Sequence, residues 1–157
     1  MNSDLKEIVD TFMGVCLQFL VDSGFVNESQ IQGNWYSREA SARLAAQSFA
    51  AAASIDTAGR PVVLFNTNIP LNAIVYSIPH EAVHLAQICK GDFEPLEGKS
   101  RWKGKIFNNL PAEDPNYISG QPWEAEARNL EEDVRKALFE RCQGLEELLT
   151  NRPTGRS

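Results

Sequence analysis

Cysteine is scarce in this sequence, and its hydrophobic runs are short. The 157 residues include only Cys16, Cys89 and Cys142. Their odd number and wide spacing predict free thiols and argue against a disulfide framework or a cysteine-based metal site. No apolar run approaches the roughly 20 residues needed to cross a bilayer, and Asp4 and Glu7 occupy the place where a signal peptide would be basic. We therefore expect a protein without a membrane partner that folds in a reducing compartment, the cytoplasm.

Basic residues are also in the minority. Lysine and arginine number 15 against 21 aspartate and glutamate residues, which gives a formal net charge of -6. Non-specific binding to nucleic acid requires a basic surface that displaces counterions from phosphates, so we expect no nucleic-acid partner. The short basic group Arg101, Lys103 and Lys105 is interpreted as solvated surface charge.

The length and ordinary apolar content of the chain predict one domain at residues 1–149 and a flexible tail at 150–157. The helical spacing of apolar residues predicts four helices, at 3–22, 37–53, 71–90 and 122–149. The second helix depends largely on alanine, the best helix former. A β-branched and aromatic run at 62–65 predicts a strand. The fold class is therefore predicted as α+β, with a small sheet packed against the third and fourth helices.

Proline makes two further segments distinctive. Residues 92–121 are predicted as a long irregular excursion with one strand at 102–107, and such loops in compact domains are often functional. Pro79 lies inside the helix predicted at 71–90, where it removes one backbone donor. Either the helix kinks at Pro79, or Pro79 lies in its first turn with Ser77 as the cap.

Histidine occurs only twice, and both copies fall in the segment His80-Glu81-Ala82-Val83-His84. Residues four apart on a helix project from the same face, so these two imidazoles can bind one zinc ion and leave room for a third protein ligand and a water. Glu81 can then accept a proton from that water as a general base. The competing interpretation is two ordinary histidines on a buried helix. The spacing favours a zinc site with Glu81 as its base.

A third ligand is expected from the first turn of the last helix, which contains Glu124 and Glu126. These two residues diverge by about 200° on a helix, so only one of them can face the metal. The apolar stripe of the helix does not separate them, because each lies roughly 80° from its centre. Glu124 is preferred, and Glu126 is kept as the alternative.

Several segments together resemble small zincin-type metallopeptidases that phages and prophages commonly encode. The segments are HEAVHLAQ, Trp102-Lys103-Gly104-Lys105, Tyr117 and the run from Pro122 to Ala127. The resemblance covers residues 71–130 and implies a single-domain, gluzincin-like fold with two histidines and a glutamate on zinc. Some related zincins have the pattern Glu-x-x-Ala, which selects Glu124; others place the ligand directly before the alanine, which selects Glu126. Pro79 and Ala82 depart from the family pattern.

The resemblance also implies an activity and a setting. The expected activity is zinc-dependent hydrolysis of a peptide or protein substrate in the cytoplasm of a bacterial or phage-infected cell. The alternative is a non-catalytic zincin-fold protein, such as a virion component, a regulator of host takeover or a homo-oligomeric part of a phage assembly. Glu81 favours the enzyme, since a purely structural site has no use for a base beside the metal. Iron, cobalt or manganese could in principle replace zinc in such a ligand set.

Two further residues are candidates for the same site. Gln87 lies close to His80 in helical phase, so it is expected either to support a ligand or to contact the substrate. The alternative is a solvated amide or one at the edge of the core. Peptide hydrolysis also needs a hydrogen-bond donor for the oxyanion. Tyr117 is the preferred donor, with Tyr76 and Arg101 behind it. The alternative for Tyr117 is a packing aromatic in a loop.

Overall fold

The computed structural model describes residues 2–47, 49–142 and 144, and these form an α+β fold, as predicted. The helices among them are α1 (Asn2–Asp22), α2 (Glu28–Ile31), α3 (Ala42–Ala45), α4 (Leu71–Cys89) and α5 (Pro122–Arg141). The strands are β1 (Tyr36–Glu39), β2 (Ala51–Ile55), β3 (Pro61–Phe65), β4 (Phe93–Pro95), β5 (Lys99–Trp102) and β6 (Lys105–Asn108). The helices predicted at 3–22 and 71–90 and the strand at 62–65 are confirmed within a few residues.

The first sheet has the strand order β1-β3-β2, with β3 parallel to β1 and antiparallel to β2. The central strand β3 is buried from Val62 to Phe65, which explains its β-branched and aromatic composition. β2 is an edge strand of this sheet. Its outer edge lies over α4, and this edge forms part of the candidate site described below.

The main core lies where α4 packs against the sheet, α1 and α5. Buried apolar residues recur at three- and four-residue spacing on both long helices. On α1 they are Val9, Met13, Cys16, Leu17 and Leu20, and on α4 they include Ile74, Val75, Ile78, Val83 and Leu85. Full burial of one such side chain contributes about 1.5–3 kcal/mol. The helix that contains both histidines is therefore held on three sides.

The helix predicted at 37–53 is wrong. Ser37 lies in β1, α3 is a single short turn, and the alanine-rich segment from Ala51 is the edge strand β2. Ladder pairing with β3 and packing on α4 override the helix propensity of alanine. The small side chains are suited to this place, because Ala53 packs in the main core between the sheet and α4.

The helix α4 continues through Pro79. It begins at Leu71 after Pro70, so Pro79 lies in its interior and not in its first turn. Ser77 is not a cap; its hydroxyl donates to the carbonyl of Ile74 at 2.7 Å. The alternative that Pro79 lies in the first turn is therefore wrong. Pro79 is a buried residue in the interior of α4.

The excursion at 92–121 contains a second sheet that the sequence did not predict. Its strands have the order β4-β5-β6, all antiparallel. The single strand predicted at 102–107 is wrong, because Lys103 (φ 50°) and Gly104 (φ 86°) form a hairpin turn in its middle. Two consecutive residues with positive φ are typical of a tight type I′ turn.

The second sheet anchors the start of α5. The ring of Phe93 stacks on Trp123 with centroids 5.3 Å apart, and Trp102 lies 6.5 Å from the same indole. Trp123 is 3% exposed. The tryptophans that stand out in the sequence therefore fix the helix turn that contains Glu124.

The C-terminal end of the described chain is shorter than predicted. α5 ends at Arg141, since Cys142 leaves the helical region with φ −117° and ψ 84°. Leu145, Leu149 and the tail at 150–157 lie outside the described residues. All three cysteines are free thiols, with Cys16 buried. Among the described residues, no helix combines the length and the apolarity that crossing a membrane requires.

Candidate metal centre

His80 and His84 project from one face of α4, one turn apart, and Glu124 reaches them from the first turn of α5. The two Nε2 atoms are 3.1 Å apart. Oε1 of Glu124 lies 3.2 Å from Nε2 of His80, and Oε2 lies 3.2 Å from Nε2 of His84. Donor atoms placed tetrahedrally at about 2.0–2.1 Å from one zinc ion are about 3.3 Å from one another. The spacing of these three residues therefore fits a single metal ion.

The two acidic candidates on α5 are separated by their helical phase. Glu124 is 7% exposed and lies within the group of donor atoms. Glu126 points elsewhere, and its Oε1 accepts a hydrogen bond from Nε2 of Gln87 at 2.9 Å. Glu126 is thus not one of the converging ligands, and the preferred assignment to Glu124 agrees with the geometry.

Gln87 fixes the tautomer of His84. Its Nε2 donates to the carbonyl of Trp123 at 3.1 Å and to Glu126, so its Oε1 is the atom that faces Nδ1 of His84 at 2.8 Å. Nδ1 must therefore donate, and Nε2 is the nitrogen that faces Glu124 and could bind a metal once its proton is displaced. Gln87 is fully buried. These contacts suit a residue that orients His84, and the assignment of Gln87 to substrate binding stays a prediction.

Glu131 performs the corresponding task for His80. Its Oε1 lies 2.7 Å from Nδ1 of His80, and its Oε2 accepts from the guanidinium of Arg135 at 3.3 Å. Nδ1 of His80 therefore donates and Nε2 is free to bind a metal, in the arrangement of carboxylate, histidine and zinc common in metalloproteins. Sequence reasoning missed Glu131. A signal was available, since Glu131 follows Glu124 by seven residues, as Gln87 follows His80, and this spacing keeps residues on one helix face.

The carboxylates around the two histidines favour positive charge at the converging atoms. Burial lowers the pKa of His80, but hydrogen bonds to Glu124 and Glu131 and the charge of Glu81 outweigh it and raise the pKa to about 9. The pKa of His84 is raised in the same way, against its burial, by Glu124 and Glu81. Burial raises the pKa of Glu124, yet the two histidines hold it well below the usual range. Without a metal, protons fill this role.

Glu81 connects α4 with the edge of the first sheet. Its Oε1 accepts from the backbone N–H of Ala53 at 2.9 Å. Burial raises the pKa of this carboxyl, and the charges of His84 and His80 oppose that effect. The carboxylate is therefore next to the ligand group, with one oxygen held by the strand and the other free of that contact.

The N–H of Ala53 belongs to the outer edge of β2. Two backbone hydrogen bonds continue the pairing with β3 just beyond the ends of β2. The carbonyl of Ala50 accepts from the N–H of Asn66, and the N–H of Asp56 donates to the carbonyl of Arg60. Antiparallel ladders alternate, so Ala51, Ala53 and Ile55 direct their N–H and C=O groups away from β3. This edge lies next to the ligand group.

Tyr117 lies at the same site, in the loop before α5. Its hydroxyl donates to Oε2 of Glu124 at 3.4 Å. Burial and then the charge of Glu124 raise its pKa to about 12, so the phenol stays protonated at neutral pH. Gln121 holds the loop, because its side chain donates to the carbonyl of Tyr117 and accepts from the N–H of Leu110, both at 2.8 Å.

The two reserve candidates for the oxyanion donor do not join this group. Tyr76 is 57% exposed, and the guanidinium of Arg135 lies over its ring at 4.1 Å. Arg101 forms an ion pair with Glu94 on the second sheet. Tyr117 is therefore the candidate that the fold brings to the metal ligands.

We find no match between this chain and protein-family models, curated proteins or solved structures. The resemblance to zincins consequently stays a prediction from the motif segments.

Proposed function

We propose that this protein is a zinc-dependent hydrolase that cleaves peptide bonds. The observation that supports it most directly is the convergence of His80, His84 and Glu124 on a volume the size of one ion, beside the carboxylate of Glu81. Three protein ligands leave a fourth position open, as catalytic zinc sites do and closed structural sites do not. Zinc, when bound, would act as a Lewis acid and lower the pKa of a bound water from 15.7 to about 7.

Glu81 is the general base in this proposal. The oxygen that does not accept from Ala53 takes a proton from the attacking water, and the carboxyl then gives that proton to the departing amine. Burial assists the second transfer because it raises the pKa of Glu81 and makes the protonated form accessible. The hydrogen bond from Ala53 keeps the carboxylate in one orientation during both transfers.

Tyr117 is the proposed donor to the oxyanion that forms on the scissile carbonyl. Its hydroxyl is protonated at neutral pH and is already directed at the ligand group. A donor of this kind typically contributes a factor of about 10²–10³ in kcat. The sequence contains no third histidine that could serve instead.

The outer edge of β2 supports a peptide as the substrate. The N–H of Ala53 is taken by Glu81, but Ala51 and Ile55 direct their backbone N–H and C=O groups outward on either side of it, and an extended peptide can add to such an edge as a further strand. Small ester or phosphate substrates would not use these groups. The resemblance of the motif segments to zincin metallopeptidases supports the same substrate class.

The test is proteolysis of a mixed peptide library by the purified, zinc-loaded protein and by Glu81→Gln. We expect about one zinc per chain in both proteins and cleavage by the wild type alone, since the amide retains the shape of Glu81 but not its basicity. Glu126→Gln serves as the matched control and should cleave. Equal product formation by wild type and Glu81→Gln would contradict the catalytic proposal and favour a non-catalytic protein of this fold.

A further inference from the structure

A cavity of about 170 Å³ opens between α4 and α5 next to the candidate metal centre. It is lined by Tyr76, Ser77, His80, Arg128, Glu131 and Arg135. His80 is at once a wall of the cavity and a proposed metal ligand. The cavity and the proposed metal position therefore share one imidazole ring. The volume corresponds to roughly six water molecules, which suits one short polar side chain.

Glu131 is the acidic residue that lines the cavity, and both of its carboxylate oxygens already have partners. One oxygen of Glu131 contacts Nδ1 of His80, and the other accepts from Arg135. Arg135 is 7% exposed, and its Nε is buried without a hydrogen-bond partner among the described residues. Arg135 also donates to Glu132 at 3.0 Å and to the carbonyl of Tyr76 at 3.2 Å, so its charge is already shared by two carboxylates.

Arg128 supplies the available positive charge. It is exposed, and in the part of the chain that the structure describes it has neither an ion pair nor a side-chain hydrogen bond. It follows Glu124 by one helical turn. Its charge also reaches Tyr117, where it lowers the pKa of the phenol against the larger effect of burial. Arg128 therefore lines the cavity and is close enough to the proposed oxyanion donor for its charge to act there.

We propose that this cavity binds a carboxylate of the substrate and that Arg128 is the residue that selects it. The inference rests on the proposed function and narrows its substrate class to peptides with an acidic group close to the scissile bond. The guanidinium offers several N–H donors in one plane, which match the two oxygens of a carboxylate. Two sources provide that chemistry: the side chain of aspartate or glutamate, and the free carboxylate at the C-terminus of a peptide.

The experiment measures binding to the zinc-loaded Glu81→Gln protein, so that no probe is consumed. The first probes are fluorescein-labelled alanine hexapeptides amidated at the C-terminus, with one aspartate or one asparagine at each position in turn. The second probes are labelled tetra-alanine with a free carboxylate or with a carboxamide. Each pair differs in one carboxylate, and the two arms separate the side-chain source from the terminal one.

We expect the carboxylate member of one pair to bind about tenfold more tightly, the range of a charge-assisted hydrogen bond at a partly exposed site. Adding Arg128→Gln should reduce the preference to less than about twofold, while Arg128→Lys should retain part of it. Lys136→Gln is the matched control, because Lys136 is an exposed cation two turns further along α5. The preference should also weaken as salt is raised from about 0.1 M to 1 M.

Three results would overturn the inference. Equal binding of all acidic and neutral partners would show that the cavity does not select a carboxylate. A preference that survives Arg128→Gln would assign it to another residue. Absence of binding by every probe to protein that contains zinc would contradict the inference together with the peptidase proposal, whereas equal binding by the probes leaves the peptidase proposal intact.

Discussion

Glu124 and Glu126 differ by two positions in sequence, and a pair of matched variants can test the different roles that the structure gives them. Glu124→Gln removes an anionic ligand, so we expect the affinity for zinc to fall by more than about 100-fold. Glu126→Gln retains an acceptor for Gln87, and its effect should stay within the roughly 10-fold lower limit for residues that orient ligands. Competition with a chromophoric chelator measures both affinities. A greater loss in Glu126→Gln would reverse the assignment of the third ligand.

Among single residues, the sequence predicted those that lie close together along the chain. His80, Glu81 and His84 lie in one helix turn, so their relation follows from helical geometry alone. The choice between Glu124 and Glu126 depends on the rotation of α5 against α4, which the stacking of Trp123 on Phe93 determines. That contact is between β4 and α5, so the spacing of apolar residues within α5 does not predict it.

Glu131 shows a second limit of sequence reasoning at the residue scale. Seven-residue spacing places it on the face of Glu124, but the same spacing describes many solvated acidic residues on amphipathic helices. Only the 2.7 Å contact with Nδ1 of His80 distinguishes it. Arg135, buried behind it, gives Glu131 a fixed orientation.

At the scale of elements, the edge strand β2 is what connects the proposed base to the proposed peptide site. Ala53→Pro removes the N–H that binds Glu81, and proline is tolerated on an edge strand where the N–H points away from the sheet. We expect kcat for a cleaved peptide to fall about tenfold, the effect of one hydrogen bond to a charged group, while zinc affinity stays unchanged. Steady-state kinetics and chelator competition measure the two quantities.

Ala51→Pro is the control for this variant, since it also removes an outward N–H from β2 but makes no contact with Glu81. If both variants lower kcat equally, the effect belongs to the strand edge in general. The hydrogen bond from Ala53 would then have no separate role in orienting the base.

The sequence did not predict β2 because its composition favours a different element. Four alanines in succession fit a helix by intrinsic propensity, and their value in the fold is their small size between β3 and α4. The hairpin of β5 and β6 was misassigned for a related reason. Its turn at Lys103 and Gly104 interrupts a segment that otherwise has the aromatic and β-branched character of one strand.

At the scale of the whole molecule, the candidate metal centre joins the core helix α4 to α5, which is held by the second sheet. A metal bound by the folded chain and not by the unfolded one stabilises the fold by about 2.7 kcal/mol at 100 times its dissociation constant. For a domain of this size each 1 kcal/mol raises Tm by about 2–4 °C. Removal of zinc by a chelator should therefore lower Tm by several degrees, and His84→Ala should abolish the difference.

The stabilisation of the fold by bound zinc should depend on pH, and the pKa of His80 determines the direction of the change. In the metal-free protein the folded pKa of His80 is about 9, above its ordinary value of 6.5. The stability that this raised pKa provides is complete below about pH 6.5 and is lost as the pH rises through about 9. Zinc must displace the same proton, so its affinity grows over the same range.

We therefore expect the Tm of chelator-treated protein to fall between pH 6.5 and 9, and the difference in Tm between zinc-loaded and chelator-treated protein to widen. Scanning calorimetry at fixed ionic strength, in steps of half a pH unit, measures both trends. Glu124 contributes in the opposite direction, since its lowered pKa provides stability that is lost only in acid, outside this window. His80→Ala removes one of the two histidines whose pKa is raised and should make the metal-free curve less steep. If Tm changed with pH in the same way for the zinc-loaded and the chelator-treated wild type, zinc would not displace the histidine proton. The proposal that both bind at the same site would then be contradicted.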